Sequence, residues 1–368
     1  MLTQTFIFVI NNVLAAVAAE AIVATLFAEA EEWRKWLARC TTFILLISGN
    51  LLVTGTLGLL KPPYVLALTS VFTLLSLIAS KAHQMTSLLA GSSSRRKPTV
   101  EEHVQRLLAG VFFTLFAGGL LVRRAYQAPK WFNDDFAYHA TNVVQWIYDG
   151  GLTLGSFNDH AYWPLNTALF PLWLTLPFHA DGMVVWNATP WLILFTIALI
   201  GIARTQKMDW SVGLMAAAMT FASPANAWML GTFSAADFSG PAMLLVAIAF
   251  LAPIETQGDR ATTLQTQTAW ASRMNVIYAG LASGFAVGTK VPFVLAALVI
   301  GLWILLEQSI ALTERLRRAV LFSLGVATTG SYWYIHNWII TGNPLFPGKV
   351  GSFDGPMSFE NFQGTLFQ

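Results

Sequence analysis

The sequence predicts an all-α protein that crosses a membrane about ten times. Of its 368 residues, 55% are apolar and 11% are charged, whereas about a quarter of the residues in a soluble protein are charged. The apolar residues form runs close to the roughly 20 residues that a spanning helix needs. Lys and Arg gather in short loops between these runs, as they do on the cytoplasmic side of membrane proteins. We therefore expect a polytopic helical bundle.

Composition also excludes several classes of protein. The net charge is only +2, and the positive residues do not line one face, so we expect no nucleic-acid partner. Cys40 is the only cysteine, which rules out an internal disulfide and a thiolate metal site. Because no positive residue precedes the first apolar run, residues 1–6 do not resemble the start of a cleaved signal peptide. We expect that run to stay in the membrane as a helix.

Ten apolar runs are the candidate spans. The three that begin at residues 240, 274 and 291 are short. The runs cover residues 5–27, 41–60, 64–80, 107–122, 183–203, 210–230, 240–254, 274–289, 291–306 and 319–340.

The positive loops orient the ten runs. With ten spans, four basic clusters fall on one side, which the positive-inside rule makes cytoplasmic. These clusters are Arg34, Lys35 and Arg39; Arg95, Arg96 and Lys97; Arg204 and Lys207; and Arg315, Arg317 and Arg318. The N-terminus then lies outside. So do residues 123–182, the loop 231–240, the break at Lys290, the turn near Lys61 and the tail from 337, where we expect the functional site.

The outer stretch 123–182 divides into three parts. The first is an amphipathic helix near 135–149, with polar residues near one face and apolar residues on the other. The polar set is Asp135, His139, Asn142 and Asp149, and the apolar set is Phe136, Ala140, Val143, Val144 and Ile147. We expect the apolar face to meet lipid and the polar face an aqueous cavity. A glycine turn follows, and then a proline-containing piece, 163–178, that is predicted to lie along the membrane surface.

Acidic residues in the outer segments are the candidate catalytic groups. Asp134 and Asp135 begin the amphipathic helix, so they fit an N-cap and a first-turn acid. They also fit a general base that takes a proton from an acceptor hydroxyl. Asp237 precedes a later helix and has the same two interpretations. Together with Asp134 it could share a divalent metal ion or divide the proton handling.

Positive residues outside the membrane break the orientation rule and need a partner. Arg123, Arg124, Lys130 and Lys290 would be explained by a polyprenyl phosphate head group, because guanidinium and ammonium groups bind phosphate. Attraction to anionic lipid heads explains Arg123 and Arg124 equally well.

Histidines and the last apolar run supply further candidates. His336 and Asn337 lie in an aromatic segment before a Gly-Asn-Pro turn, which fits an interfacial aromatic belt or hydrogen bonds to sugar or phosphate. His139, His160 and His179 all lie in the outer stretch, and His139 stands one turn from Asp135, so a zinc site is an alternative, although the HExxH spacing is missing. With Asp134 and Asp237, His139 is also a candidate ligand of a divalent metal ion.

Two groups of residues favour close helix packing. Gly284 and Gly288 in GFAVGTK fit a close contact between helices better than a phosphate loop, since no strand precedes them. Asn11, Asn12 and Glu20, inside the first run, fit contacts between helices.

The order of these motifs over residues 107–347 resembles the GT-C superfamily of membrane glycosyltransferases. The branch that it is similar to contains the dolichyl-phosphate-mannose protein mannosyltransferases and the lipid A aminoarabinose transferases. The matching positions are Asp134 and Asp135, Tyr138, Gly150 and Gly151, Tyr162 and Pro164, Asp237, Lys290, Asn337 and Trp338, and Thr341 to Pro344. The chain departs from the family where Asp135 replaces Glu, where Trp163 interrupts Tyr-Pro, and where His336 replaces Arg.

The resemblance implies an inverting sugar transferase with a carboxylate general base. Its donor would be a polyprenyl-phosphate sugar, its acceptor a hydroxyl of a glycan, lipid or protein, and no nucleotide would be needed. The site, with Asp134 as base and Tyr138, His139, Lys290, Arg123 and Arg124 around the donor, would face the outside or periplasm from the plasma or inner membrane. A transporter or lipid flippase, which would show inverted repeats, and a non-catalytic assembly subunit are the alternatives.

The resemblance also divides the chain. Residues 1–106 are predicted to form a three-helix extension that ends in the Ser-rich basic linker, and residues 107–347 the catalytic module. Residues 348–368 would be a polar outer tail, the expected start of a further C-terminal part.

Overall fold

The fold is helical throughout the part that the structure describes. A computed structural model describes residues 2–28, 30–84, 100–119, 122, 135–154, 159–230, 233, 235–252 and 264–357. Within these ranges the only β pairings are isolated bridges, which lie in the segment after the last helix. The predicted all-α class is confirmed.

The helices follow the predicted runs. They are α1 (Leu2–Leu26), α2 (Glu32–Thr56), α3 (Pro62–Gln84), α4 (Val100–Phe113, continued by a π-helical turn at Thr114–Gly118), α5 (Ala140–Asp149, preceded by a π-helical turn at Asp135–His139), α6 (Asn166–Thr175), α7 (Thr189–Thr205), α8 (Trp210–Ala222), α9 (Pro224–Met229), α10 (Ala236–Leu251), α11 (Leu264–Val287), α12 (Phe293–Leu306), α13 (Leu312–Gly330) and α14 (Tyr332–Thr341). Short 3-10 turns cover Asp159–Tyr162 and Gly182–Trp186.

Several helices are long and apolar enough to cross a membrane. Each of the ten predicted runs coincides with one or two helices. Among the described residues, four helical segments meet both criteria of length and composition: Leu2–Leu26, Glu32–Thr56, Pro62–Lys81 and Gly182–Thr205. Shorter apolar helices include α8, α10 and α12.

Large apolar side chains cover the outside of the bundle. On α12, Leu298, Val299 and Trp303 are each more than half exposed. Soluble monomers rarely expose continuous apolar surface of this kind, which marks contact with lipid or with another protein.

The backbones of α11 and α13 approach each other closely. A β-carbon added to Gly280 would lie 2.3 Å from the Phe322 carbonyl oxygen, and one added to Gly284 would lie 2.4 Å from that of Val326. Small residues let two backbones approach this closely. The predicted close contact at Gly284 is confirmed.

One end of the bundle carries the basic residues. Arg34 donates to the Ala252 carbonyl oxygen at the end of α10, at 2.8 Å. Arg106 of α4 pairs with Asp209, the N-cap of α8, at 2.7 Å. Arg318 of α13 donates to Ser272 of α11. Arg34 and Arg318 belong to two of the four predicted basic clusters, and Asp209 follows a third, Arg204 and Lys207, by two residues. Residues 95–97 lie outside the described residues.

The first three helices pack against the rest of the chain. At the end opposite the basic residues, the Leu60 amide donates to the Gly150 carbonyl oxygen at 2.9 Å, and the Leu152 amide to that of Gly55 at 3.0 Å. Gly150 has φ +69°, a conformation that suits glycine where it ends α5. The turn between α2 and α3 is therefore fixed to the turn after α5.

Polar residues of α1 make the predicted contacts between helices. Glu20 forms two hydrogen bonds with Arg39 of α2. Asn12 accepts from the Trp173 indole at 3.3 Å.

The proline-containing piece 163–178 corrects an expectation. Its helix, α6, is buried along nearly its whole length rather than lying at a membrane surface. A helix that is apolar all round belongs inside a protein. In α6 the prolines limit its length without exposing it, and it packs on α2 and α5.

Candidate functional site

An ion pair between two predicted site residues stands at the end of the bundle opposite the basic cluster. Lys290 Nζ donates to Asp237 Oδ1 at 2.9 Å, and the two residues are separated by 53 positions in the sequence. The side chains are 36% and 48% exposed respectively. A pair this accessible can exchange one partner for a charged ligand.

The helix start at Asp237 tests its interpretation as an N-cap. The N-cap of α10 is Ala235, with φ +49° and no side-chain cap bond. Asp237 lies in the first turn, and its carboxylate bonds to Lys290 instead of an amide of its own helix. The N-cap interpretation of Asp237 is therefore wrong, although the helix dipole still favours its negative charge.

His139 lies buried beside this pair. It is 4% exposed, and burial lowers the pKa of its imidazole to about 3, with Asp237 acting to raise the pKa and Lys290 to lower it. The ring is neutral at physiological pH, so it can accept or donate a hydrogen bond without carrying charge.

Aromatic rings extend from His139 along the outer segment. The ring centroids of Tyr138 and His139 are 4.1 Å apart, those of Tyr138 and His160 5.9 Å, and those of His160 and Trp163 6.2 Å. Flat surfaces of this type suit sugar rings, since the apolar faces of a sugar stack on aromatic rings as other apolar groups do.

The predicted faces of α5 need a correction. His139 and Asn142 of the predicted polar face are buried, as are Ala140 and Val143 of the apolar face. The exposed residues include Phe136, Val144 and Tyr148, at intervals of four or eight. A π-helical turn at Asp135–His139 shifts the register before α5 begins. Such insertions in a helix are frequent at functional sites.

Two buried asparagines, from different helices, donate to the Asp159–Tyr162 turn. Asn142 of α5 donates to the Ala161 carbonyl oxygen at 3.4 Å, and Asn337 of α14 to that of Tyr162 at 2.8 Å. Their side-chain oxygens are buried and have no hydrogen-bond partner among the described residues. Both oxygens are available to accept from a ligand or from water.

His336 makes its contacts with its own helix. Its ring stacks on Tyr332 at 5.5 Å and lies edge-on to Trp333 at 6.3 Å. The turn after α14 is built as predicted: Gly342 has φ +73°, and the Asn343 side chain accepts from the Leu345 amide and donates to the Gly348 carbonyl oxygen.

Several of the predicted site residues lie outside the part of the chain that the structure describes. Asp134, Arg123 and Arg124 are not among the described residues, and of Asp135 only the backbone is described, within the π-helical turn. Among the residues that the structure describes, no group of three His, Cys, Asp or Glu side chains is placed to hold a metal ion.

Sequence reasoning missed Asn166. This residue begins α6, is 2% exposed, and has every side-chain polar atom in a hydrogen bond. Its signal was weak: a single asparagine at the start of an apolar, proline-containing helix. Gly288, predicted as a close helix contact, packs against it, because an added β-carbon would lie 2.2 Å from Asn166 Nδ2.

Comparison with protein-family models, with curated proteins and with solved structures finds no significant match for this chain. This end of the bundle contains an accessible ammonium group paired with a carboxylate, a neutral imidazole, and two buried amide oxygens that have no partner among the described residues. Groups of this kind bind a phosphate ester and the hydroxyls of a sugar.

Proposed function

We propose that the chain is an integral membrane glycosyltransferase. It would move a sugar from a polyprenyl-phosphate donor to a hydroxyl of a glycan, lipid or protein acceptor. The observation that carries the proposal is the half-exposed pair of Asp237 and Lys290 beside the buried, neutral His139. An ammonium group at this position offers a counter-charge to the donor phosphate, and the motif order of the GT-C superfamily supports the same assignment.

The exposed apolar surface and the separated ends support ten spans and an outer site. Loops rich in Lys and Arg remain in the cytoplasm, so the end that carries Arg34, Arg106 and Arg318 would be cytoplasmic. The end with Asp237 and Lys290 would then face the outside or periplasm, where polyprenyl-phosphate sugars are used by enzymes of this superfamily.

The proposed reaction is a single inverting displacement. The acceptor hydroxyl attacks the anomeric carbon while a carboxylate takes its proton, and the bond to the phosphate oxygen breaks. Polyprenyl phosphate leaves with its negative charge held by Lys290, with Arg123 and Arg124 as further candidates. Because the charge of Asp237 is already bound to Lys290, Asp134 or Asp135 is the better general base.

The test is transfer of radiolabelled sugar from a panel of polyprenyl-phosphate donors to membrane acceptors. Asp134→Asn is expected to abolish transfer at unchanged protein abundance. A matched control is Asp149→Asn, because Asp149 is exposed at the far end of the same outer helix. Equal loss in both variants, or no transfer by the native protein with any donor, would overturn the proposal and favour a transporter or an assembly subunit.

A divalent ion at Asp134, Asp237 and His139 is part of the proposal. Chelation with EDTA is then expected to stop transfer, and Mg²⁺ or Mn²⁺ to restore it. Full activity in EDTA would remove the metal from the mechanism and leave the charge of the leaving phosphate to Lys290 and the arginines.

A further inference from the structure

The end of α11 is held by groups from outside the helix. A helix leaves its last carbonyl oxygens without partners in the helix itself. Here the Asn166 side-chain amide donates to the Phe285 carbonyl oxygen at 3.2 Å, and the Asn166 backbone amide to that of Gly288 at 2.8 Å. The Tyr334 hydroxyl donates to the Val287 carbonyl oxygen at 3.0 Å. The last turn before Lys290 is therefore fixed by α6 and α14.

Asn166 also connects this turn to the last two helices. Its side-chain amide donates to the Thr329 carbonyl oxygen of α13 at 2.9 Å, and its side-chain oxygen accepts from the Trp333 indole of α14 at 2.9 Å. Trp333 in turn stacks on Trp146 of α5, with ring centroids 5.6 Å apart. One buried amide thus joins the end of α11, just before Lys290, to α13 and to α14, which carries Asn337 and contacts α5 through Trp333.

Few contacts separate Asn166 from the ion pair. Gly288, whose carbonyl oxygen accepts from Asn166, precedes Lys290 by two residues, and the Lys290 amide itself donates to the Ala286 carbonyl oxygen at 3.2 Å. Little freedom of the backbone remains between the fixed turn and the lysine. Asn166 acts on this segment in two ways: its backbone amide bonds to Gly288, and its side chain bonds to Phe285. Only the side-chain bond is lost in Asn166→Ala.

We propose that Asn166 is a positioning residue that holds Lys290 against Asp237. It acts through the end of α11 and does not itself touch a substrate. This inference rests on the proposed function only where donor binding is measured, because the position of Lys290 can be followed without any substrate.

The first experiment measures the rate at which an amine-reactive reagent labels Lys290. Lys349, which pairs with Asp354 at 3.1 Å in an exposed segment, is the reference in the same digest. Asn166→Ala is expected to speed labelling of Lys290 about tenfold, the factor that corresponds to one lost buried hydrogen bond, and to leave Lys349 unchanged. Asn50→Ala is the matched control, because Asn50 is equally buried and donates to Val65 and Thr69 of α3.

An unchanged labelling rate of Lys290 in Asn166→Ala would overturn the proposal. An equal rise at Lys349, or a similar rise in Asn50→Ala, would also overturn it, because the effect would then be general loosening. If Asn166→Ala does not accumulate in the membrane, Trp333→Phe removes the indole donor to Asn166 and keeps a smaller aromatic ring against Trp146. That variant is expected to change labelling in the same direction by a smaller factor.

The second experiment is a double-mutant cycle on the KM for the polyprenyl-phosphate donor. Lys290→Ala and Asn166→Ala are each expected to raise this KM, and Asn166→Ala to add nothing once Lys290 is absent. If the effects of the two substitutions on the KM were fully additive, Asn166 would not act through Lys290. If Lys290→Ala leaves the donor KM unchanged while Asn166→Ala still speeds labelling, the proposed function fails and the positioning role stands.

Discussion

Asn166 and Asn337 are both almost fully buried near the same end of the molecule, yet their side chains are used differently. Asn166 has all its polar atoms in hydrogen bonds to three other segments. Asn337 donates to Tyr162 and Phe346, but its side-chain oxygen has no partner among the described residues. Asn142 resembles Asn337, with one long bond and an unpaired oxygen.

This difference suggests that Asn166 stabilises the fold, whereas Asn337 and Asn142 can bind a ligand. A buried polar group with all its partners stabilises one arrangement of the chain, whereas an unpaired acceptor costs free energy until a ligand or water donates to it. We therefore expect Asn166 to determine stability, and Asn337 and Asn142 to contribute more to ligand affinity than to folding.

Replacement of Asn166 should have the largest effect on stability. Asn166→Ala leaves the Trp333 indole and the carbonyl oxygens of Phe285 and Thr329 without this partner, and we expect the free energy of unfolding to fall by about 3 kcal/mol or more. Thermal unfolding of the detergent-solubilised protein measures the change. A loss no greater than that of Asn337→Ala would remove the distinction between the two asparagines.

The pH dependence of stability tests the buried imidazole. The pKa of His139 is lowered to about 3 by burial, against about 6.5 in an unfolded chain. Between these values the unfolded chain binds a proton that the folded chain refuses, so the stability that is present above pH 6.5 falls as the pH falls toward 3.

The matched variant for this effect is His139→Asn. In the native protein, His139 should lower the free energy of unfolding by up to about 1.4 kcal/mol for each pH unit of acidification. The variant should lack this fall, most visibly between pH 6.5 and pH 5, where few carboxylates titrate. Identical pH profiles for the two proteins would show that His139 is solvated and can be protonated in the folded chain.

Asn337→Ala should have an intermediate effect. It loses the bonds to Tyr162 and Phe346 but also removes an unpaired oxygen, so we expect the free energy of unfolding to fall by about 1 kcal/mol. The KM for the donor or the acceptor should also rise, and by more than a loss of folded protein would explain. A variant with reduced stability and an unchanged KM would place Asn337 with Asn166 in the framework.

Ala235→Gly should have the smallest effect and the opposite sign. Ala235 has φ +49° immediately before the helix of Asp237, a conformation that costs an L-residue about 1 kcal/mol relative to glycine. The variant is expected to unfold at a higher temperature with unchanged labelling of Lys290. Lower stability would mean that the alanine methyl group packs favourably enough to offset the strain.

Helix positions could be predicted from the sequence because they depend on the length and composition of apolar runs. The predicted runs all coincide with helices, and the close contact at Gly284 followed from small residues at a helical spacing. The ion pair between Asp237 and Lys290 was not predicted. The local sequence around an acid in the first turn of a helix does not show whether its carboxylate pairs with a distant lysine.

The exposure of α5 and α6 could not be predicted in the same way. Periodicity shows that α5 has two unlike faces, but not that its polar face packs on the Asp159–Tyr162 turn. The π-helical turn before α5 changes the register that a regular helix would give. For α6, prolines indicated a surface position, whereas its uniformly apolar side chains placed it in the core.

The bonds between the α2–α3 turn and the turn after α5 have a consequence for the order of synthesis. The first three helices are synthesised before residues 135–152, so the Gly55 carbonyl oxygen and the Leu60 amide leave the ribosome before their partners Leu152 and Gly150. The early helices thus provide a docking point for the later outer segment. A chain that starts at residue 107 would lack that docking point, and its outer helix would have no hydrogen bonds from the α2–α3 turn to position it.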